Sequence, residues 1–96
     1  MTDSAAQTLR VRFSDACSDV LVWLVDQPAD NFWTPHHIAE SAAPDDADDA
    51  IRSCRGAIST LFGCGLVEGR NVEGIPMFRA TDEGRRVVEE ARANAR

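Results

Sequence analysis

The sequence predicts one mainly α-helical domain over residues 1–96 with a small β-hairpin, in the order α-α-α-β-β-α. Three observations predict this fold class. The chain has 96 residues, which is the size of one domain with one core. Apolar residues recur at helical spacing in four segments, bounded by capping residues, glycines or prolines. A fifth segment instead combines two short apolar runs with a glycine-bearing turn, as a hairpin does.

The first part of the chain is predicted to be a loose arm followed by a helix. Residues 1–10 are polar and without pattern, so we expect them to form a loose N-terminal arm. Residues 13–27 are predicted to form a helix, because apolar residues recur there at helical spacing and Ser14 and Asp15 are good caps. A strand over residues 20–25 is the competing prediction, since β-branched and aromatic residues dominate that stretch.

Two further helices follow. Thr34 and Pro35 are a typical N-cap and first helical position, and they predict a short helix over residues 35–42. Aspartates then cap a third helix over residues 46–62. Its inner stripe is apolar and comprises Ile51, Cys54, Ala57, Ile58, Leu61 and Phe62. The opposite face is free to bind a partner and carries Asp48, Arg52, Gly56 and Ser59, with Arg55 at its flank.

The last third of the chain is predicted to be a hairpin and a helix. Two short apolar runs flank a turn at residues 71–74, which predicts a hairpin near residues 66–80 with Pro76 on an edge. Thr81 and the two acidic residues after it then begin a helix over residues 82–94.

The charge of the chain is acidic and unevenly distributed. The net charge is -6, and all ten basic residues are Arg, because the sequence contains no Lys. This composition predicts a salt-adapted or high-GC source. Residues 1–50 hold two Arg and ten acidic residues, whereas residues 51–96 hold eight Arg and six acidic residues. An anionic partner is therefore expected to bind the second half.

Several classes of protein are not expected. The longest apolar run, residues 20–25, is far shorter than a membrane span, and the N-terminus has no signal-peptide core, so we expect a cytoplasmic protein without a membrane partner. Three cysteines without a CxxC pair predict free thiols rather than disulfides. His36 and His37 point to different faces of a helix and lack further ligands, so neither a metal nor a cofactor is expected. No catalytic constellation stands out, which argues against an enzyme.

Three motifs together resemble winged helix-turn-helix transcriptional regulators of the MarR-like and PadR-like kind. They are Ile38-Ala39-Glu40, then Leu61 with Gly65-Leu66-Val67, then the segment RATDEGR at residues 79–85. The resemblance covers most of the chain. It implies a winged-helix fold in which the third helix lies in the DNA major groove, the hairpin lies as a wing beside the backbone, and the outer helices form a dimer.

The resemblance implies a sequence-specific regulator that binds double-stranded DNA, and it assigns roles to five polar residues. Arg52, Arg55 and Ser59 become the contacts of the recognition helix, since Arg is the commonest donor to guanine. Arg70 and Arg79 become phosphate contacts of the wing. Structural roles are the alternative for all four arginines: Arg52 and Arg55 could pair with Asp48 and Asp49 along the helix, and Arg70 and Arg79 could pair with Glu68 and Glu73 across the hairpin.

A homodimer built from the first and last helices is also predicted. Some apolar residues of the first helix lie off the stripe that a small domain needs, and the last helix has few large side chains. The residues assigned to this interface are Val22, Trp23, Val25, Val87 and Val88.

The acidic residues support a different function, in which the chain is an acidic winged-helix module that binds a basic protein as an inhibitor or DNA mimic. The connection before the third helix, SAAPDDADD, is longer than the tight turn usual in the family. It places four carboxylates at the end of the helix that should approach DNA, where they repel phosphates. This alternative interaction surface comprises Asp45, Asp46, Asp48 and Asp49.

Overall fold

The fold is mainly helical and contains one two-stranded antiparallel hairpin, as the sequence predicts. A computed structural model describes the backbone of residues 4–42 and 47–94, and the side chains of residues 7–41 and 51–94. Five helices and two strands occur within these ranges: α1 (Ser4–Leu9), α2 (Asp15–Asp26), α3 (Pro35–Ala42), α4 (Ala47–Gly63), β1 (Val67–Val72), β2 (Ile75–Ala80) and α5 (Asp82–Asn94).

Helix α1 was not expected, and it corrects the prediction of a loose arm. Residues 4–9 form this helix, and it packs against α2 and α5. Its last residue, Leu9, is only 2% exposed, and its carbonyl oxygen accepts hydrogen bonds from the backbone N–H groups of Arg12 and Phe13. Leu9 thereby anchors the segment to the core, since burying one leucine side chain is favourable.

Helix α2 forms where a strand over residues 20–25 was the alternative, and it lies at the centre of the fold. Ser14 caps it, because its Oγ accepts a hydrogen bond of 3.1 Å from the N–H of Cys17. The helix packs against α1, α3, α4 and α5. Because it is covered on several sides, residues on and off its main stripe are buried together: Cys17, Ser18, Val20, Leu21, Val22 and Leu24.

Helices α3 and α4 pack against each other and against α2. Thr34 caps α3 as predicted, since its Oγ1 accepts a hydrogen bond of 3.2 Å from the N–H of His37. Helix α4 buries one side, with Cys54, Ala57, Ile58 and Leu61 at most 3% exposed. Arg52, Arg55 and Ser59 face solvent, because they lie on the side of the helix opposite these buried residues. The predicted caps of α4, Asp45 and Asp46, lie outside the described residues.

The hairpin has a fixed register and a tight turn. Val67 pairs with Ala80 at its base, and Val72 pairs with Ile75 beside the turn. The two turn residues, Glu73 and Gly74, both have positive φ angles, of 53° and 84°. Two positive φ angles in a two-residue connection are the pattern of a type I′ turn, whose twist suits antiparallel strands.

A short backbone bridge attaches the hairpin to the segment before α3. The N–H of Trp33 donates to the carbonyl of Phe78 over 2.7 Å, and the N–H of Phe78 donates to the carbonyl of Trp33 over 2.8 Å. Strand β2 therefore lies beside the N-terminus of α3, and it faces α4 across the space between them.

Helix α5 completes the core. Thr81 caps it, because its Oγ1 accepts a hydrogen bond of 3.1 Å from the N–H of Gly84 and donates one of 2.7 Å to the carbonyl of Gly65. Val87, Val88 and Ala91 are buried against the rest of the chain. None of the helices in the described part of the chain is both long and apolar enough to span a membrane.

Candidate binding site on helix α4 and the hairpin

The exposed face of α4 carries two arginines without a partner among the described side chains. Arg52 and Arg55 are exposed, and neither makes a hydrogen bond or ion pair with any described side chain. The predicted alternative, in which they pair with Asp48 and Asp49, stays a prediction, because these two side chains are outside the described ones. The structure thus brings Arg52, Arg55 and Ser59 together on one helix face, where they are accessible to a ligand.

The sequence explains why Arg55 in particular has no partner on its own helix. Residues three and four positions away along a helix are its neighbours, and for Arg55 these are Ile51, Arg52, Ile58 and Ser59. None of them is acidic. For Arg52, by contrast, the corresponding preceding residues are Asp48 and Asp49. Arg55 is therefore the cation of this face that its own helix leaves uncompensated.

Arg55 and Ser59 line an open groove of about 640 Å³. Its walls are α4, the N-terminus of α3 and strand β2, which the Trp33–Phe78 bridge holds in place. The apolar lining consists of Pro35, Ile58, Phe62, Ile75, Pro76 and Phe78. The polar lining consists of Thr34, His36, Arg55 and Ser59. No Asp or Glu occurs among these described lining residues.

Two large apolar side chains of this groove are exposed to solvent. Phe62 is 56% exposed and Ile75 is 53% exposed. The sequence pattern placed Phe62 on the buried stripe of α4, and this prediction is wrong, because Phe62 borders the open groove whereas its neighbour Leu61 faces the core. Sequence reasoning missed the groove, since it depends on how β2 is attached to the segment before α3. The one signal in the sequence was a large apolar residue, Phe62, next to the last residue of α4, where a side chain can remain exposed.

The hairpin arginines are partly engaged within the protein. Arg79 forms an ion pair with its cross-strand neighbour Glu68, and its guanidinium lies 4.4 Å from the ring centre of Phe32. The guanidinium of Arg70 lies 4.7 Å from the same ring. The structural alternative is therefore observed for Arg79, while Arg70 stacks on Phe32 instead of pairing with Glu73. Stacking leaves the edge of the Arg70 guanidinium available to an anion.

The residues assigned to a dimer interface are largely buried within one chain. Val22, Val87 and Val88 are 7%, 6% and 0% exposed, because α1, α2 and α5 pack together. Contacts within the chain already bury these three residues, and their assignment to a dimer interface stays a prediction. Trp23 is half-buried and packs edge-on against Trp33, with ring centres 5.4 Å apart, and Val25 is also half-buried.

The two histidines and Cys54 contact other residues of the protein. His36 pairs with Glu40 over 2.9 Å, and His37 stacks on Trp33 with ring centres 4.9 Å apart. Cys54 is buried, its thiol contacts the carbonyl of Pro35, and burial raises its pKa to about 11. Among the described residues, no group of three or more His, Cys, Asp or Glu could hold a metal ion.

The acidic surface predicted for a basic partner lies mostly beyond what the structure describes. Asp45 and Asp46 lie outside the described residues. Asp48 and Asp49 belong to the first turn of α4, but their side chains are outside the described ones. The contacts of all four carboxylates therefore stay a matter of prediction.

Comparison of the chain with models of protein families, with curated proteins and with solved structures finds no match in any of the three.

Proposed function

We propose that this chain is a winged helix-turn-helix regulator that binds specific double-stranded DNA, with α4 as the recognition helix and the hairpin as the wing. The observation that carries the proposal is the exposed face of α4, where Arg52 and Arg55 have no partner among the described residues. An exposed helix with unpaired arginines, followed directly by a hairpin, is the arrangement that reads a major groove in this kind of protein.

The roles of the individual residues follow from their surroundings. Arg52 and Arg55 would donate to base edges, and a guanidinium can bind guanine O6 and N7 together. Ser59, one turn further along α4, would donate to a phosphate or base. In the wing, Arg70 would contact the phosphate backbone. Arg79 would contribute less than the sequence suggested, because Glu68 already neutralises it.

The net charge of -6 makes DNA binding dependent on salt in an unusual way. Carboxylates near the first turn of α4 repel phosphates in dilute salt. At about 1 M salt the Debye length falls to roughly 3 Å, so acids that do not touch the DNA have little effect. We therefore propose a salt-adapted source, in which direct arginine contacts survive while the repulsion is screened.

The test is fluorescence anisotropy with a panel of double-stranded DNAs at low and at multimolar salt. Arg52→Ala and Arg55→Ala should each cost about 1 to 3 kcal/mol on the preferred sequence and relax the preference at one position. Arg12→Ala is the matched control, because Arg12 is exposed, lies outside α4 and carries the same charge. Unchanged affinity of both α4 variants at every salt concentration would reject the proposed recognition helix.

A second candidate is an acidic module that binds a basic protein. The specific observation in its favour is the ion pair in the hairpin. Glu68 neutralises Arg79, so the wing presents less positive charge to DNA than the sequence alone predicts. Changing Asp45, Asp46, Asp48 and Asp49 to Asn separates the two candidates. The substitutions should strengthen DNA binding if DNA is the partner, and they should weaken association with a basic protein if a protein is.

The homodimer is kept as a proposal with a smaller interface. Only Trp23 and Val25 of the five assigned residues keep part of their surface exposed. Light scattering at tens of micromolar decides the matter, since a monomer mass there contradicts an isologous pair.

A further inference from the structure

We propose that Phe32 is a positioning residue of the wing, and that its ring holds the Arg70 guanidinium ready to bind a phosphate of DNA. This inference rests on the proposed function, in which Arg70 contacts the DNA backbone. Phe32 lies in the segment between α2 and α3, outside both α4 and the hairpin. Its ring nevertheless lies beneath the guanidinium groups of two hairpin arginines, Arg70 and Arg79.

The backbone bridge between Trp33 and Phe78 places Phe32 beside the hairpin. This bridge is antiparallel, so the residue before Trp33 lies opposite the residue after Phe78, which is Arg79. Arg79 in turn pairs with Glu68 on β1. Phe32, Arg79 and Glu68 therefore form one row across three backbone segments, and side chains in such a row meet on the same face.

Arg70 reaches the same ring from a diagonal position. It lies two residues after Glu68 on β1, so both side chains project from the same face of the strand. A diagonal cross-strand neighbour such as Arg79 is within reach of a long side chain. The guanidinium carbons of Arg70 and Arg79 lie 4.7 Å and 4.4 Å from the ring centre of Phe32. Both distances are within the range of about 6 Å over which an aromatic face attracts a cation.

The two arginines over Phe32 differ in what they can still bind. Arg79 forms an ion pair with Glu68, so its charge is already offset. Arg70 is exposed and makes no ion pair with any described side chain. A guanidinium over an aromatic face keeps N–H groups that can donate to two phosphate oxygens. Arg70 is therefore the arginine of this pair that remains available to DNA.

Holding Arg70 before DNA arrives lowers the cost of binding. A long side chain loses conformational freedom when it is fixed at an interface, and this loss weakens binding. In the free protein the Phe32 ring already restricts Arg70, so less freedom is lost on contact with a phosphate. Because phosphates carry no sequence information, the gain in affinity should be the same for every DNA sequence.

The first measurement is made on the free chain, without DNA. The Nε–Hε resonances of Arg70 and Arg79 report the stacking by NMR, because protons over an aromatic ring are shifted upfield. Phe32→Leu should move both resonances downfield, and Phe32→Tyr should leave them in place. Circular dichroism checks the fold, and Phe32→Met, which fills the space without a ring, replaces Phe32→Leu if that variant unfolds. An Arg70 resonance that does not respond to loss of the ring would overturn the proposal.

The second measurement is fluorescence anisotropy with the panel of double-stranded DNAs. Phe32→Leu should weaken binding about fivefold on every sequence, whereas Phe32→Tyr keeps the ring and should not. This loss should be absent in the Arg70→Gln background and remain in the Arg79→Gln background, because the ring acts through Arg70. Arg70→Gln should also reduce the slope of log affinity against log salt concentration by about one. Phe32→Leu removes no charge, so it should leave that slope unchanged.

Phe13→Leu is the matched control. Phe13 is also half-buried and has an arginine over its ring, since the Arg12 guanidinium lies 5.4 Å from the ring centre, but it lies outside α4 and the wing. An equal loss of DNA affinity there would overturn the role of Phe32. A loss for Phe32→Leu that persists in the Arg70→Gln background would overturn that role alone and leave the recognition helix intact. A wild-type chain that binds no DNA at any salt concentration would overturn the proposed function, and this role of Phe32 with it.

Discussion

Two helical glycines provide a matched test of the packing, because an added methyl group has opposite consequences at each. At Gly84, in the first turn of α5, a Cβ would lie 2.3 Å from the carbonyl oxygen of Leu66 and 3.3 Å from a methyl of Leu21. Real Cβ atoms essentially never approach closer than 3.0 Å, so α5 and the Leu66 peptide must separate by roughly 0.7 Å. At Gly56, on the exposed face of α4, a Cβ meets nothing within 4 Å.

The magnitudes follow from these distances. Overpacking against a backbone atom costs about 1 to 3 kcal/mol, and Gly84→Ala should lie at the upper end because Leu66 O also accepts the N–H of Thr81. The better helix propensity of Ala returns at most about 1 kcal/mol, which leaves a net loss of about 2 kcal/mol. Gly56→Ala has no such clash and should gain about 0.5 to 1 kcal/mol.

Thermal and urea unfolding followed by circular dichroism measure both variants. For a chain of this size we expect Gly84→Ala to lower the Tm by about 10 °C and Gly56→Ala to raise it by about 4 °C. If Gly84→Ala unfolds at or above the wild-type temperature, α5 does not pack on Leu66 as described. If Gly56→Ala loses stability, the exposed face of α4 is covered by something else.

Three further predictions concern single side chains. Burial raises the pKa of Cys54 from 9.0 to about 11, so between these values the unfolded chain has lost a proton that the folded chain keeps, and stability should fall by about 2 kcal/mol as pH rises to 11. The sequence contains no Lys or Tyr, whose titration at high pH would obscure this loss of stability. The fall of the urea midpoint with rising pH should therefore disappear in Cys54→Ala and remain in Cys64→Ala. Glu73→Asn should gain about 0.5 kcal/mol in urea unfolding, since Asn tolerates the positive φ of the turn, and a loss would argue against a type I′ turn. Thr81→Ala should cost about 1 to 2 kcal/mol and Thr81→Ser much less, with equal losses indicating that the cap bonds are not formed.

Most of the fold was predictable because its signals are local. Ser14, Thr34 and Thr81 each cap the helix that the sequence assigned to them, and the hairpin turn falls within residues 71–74. Each of these signals depends on residues within four positions of one another. Helix α1 was missed because its burial depends on contact with α5, about eighty residues away, and its local sequence shows only one apolar anchor.

The candidate site was predictable only on the helix. The exposure of Arg52, Arg55 and Ser59 follows from the helical period once the buried stripe is known. The groove beside them does not, because one of its walls is β2, and the bridge from Trp33 to Phe78 joins residues 45 positions apart with no motif to announce it. The two exposed apolar residues of the groove, Phe62 and Ile75, were therefore assigned to the core or left without a role.

The ion pairs of the arginines show the same division between local and distant contacts, and Arg55 differs from the paired arginines in both respects. Arg86 pairs with Glu83 and Glu90 at helical spacing, and the Arg86 guanidinium holds the pKa of Glu83 below its usual value. The sequence alone predicts such pairs. Arg92 pairs with Asp26, and this contact requires the fold. Arg55 has a partner of neither kind in the described part of the chain, because its helical neighbours are not acidic and the groove residues beside it carry no carboxylate.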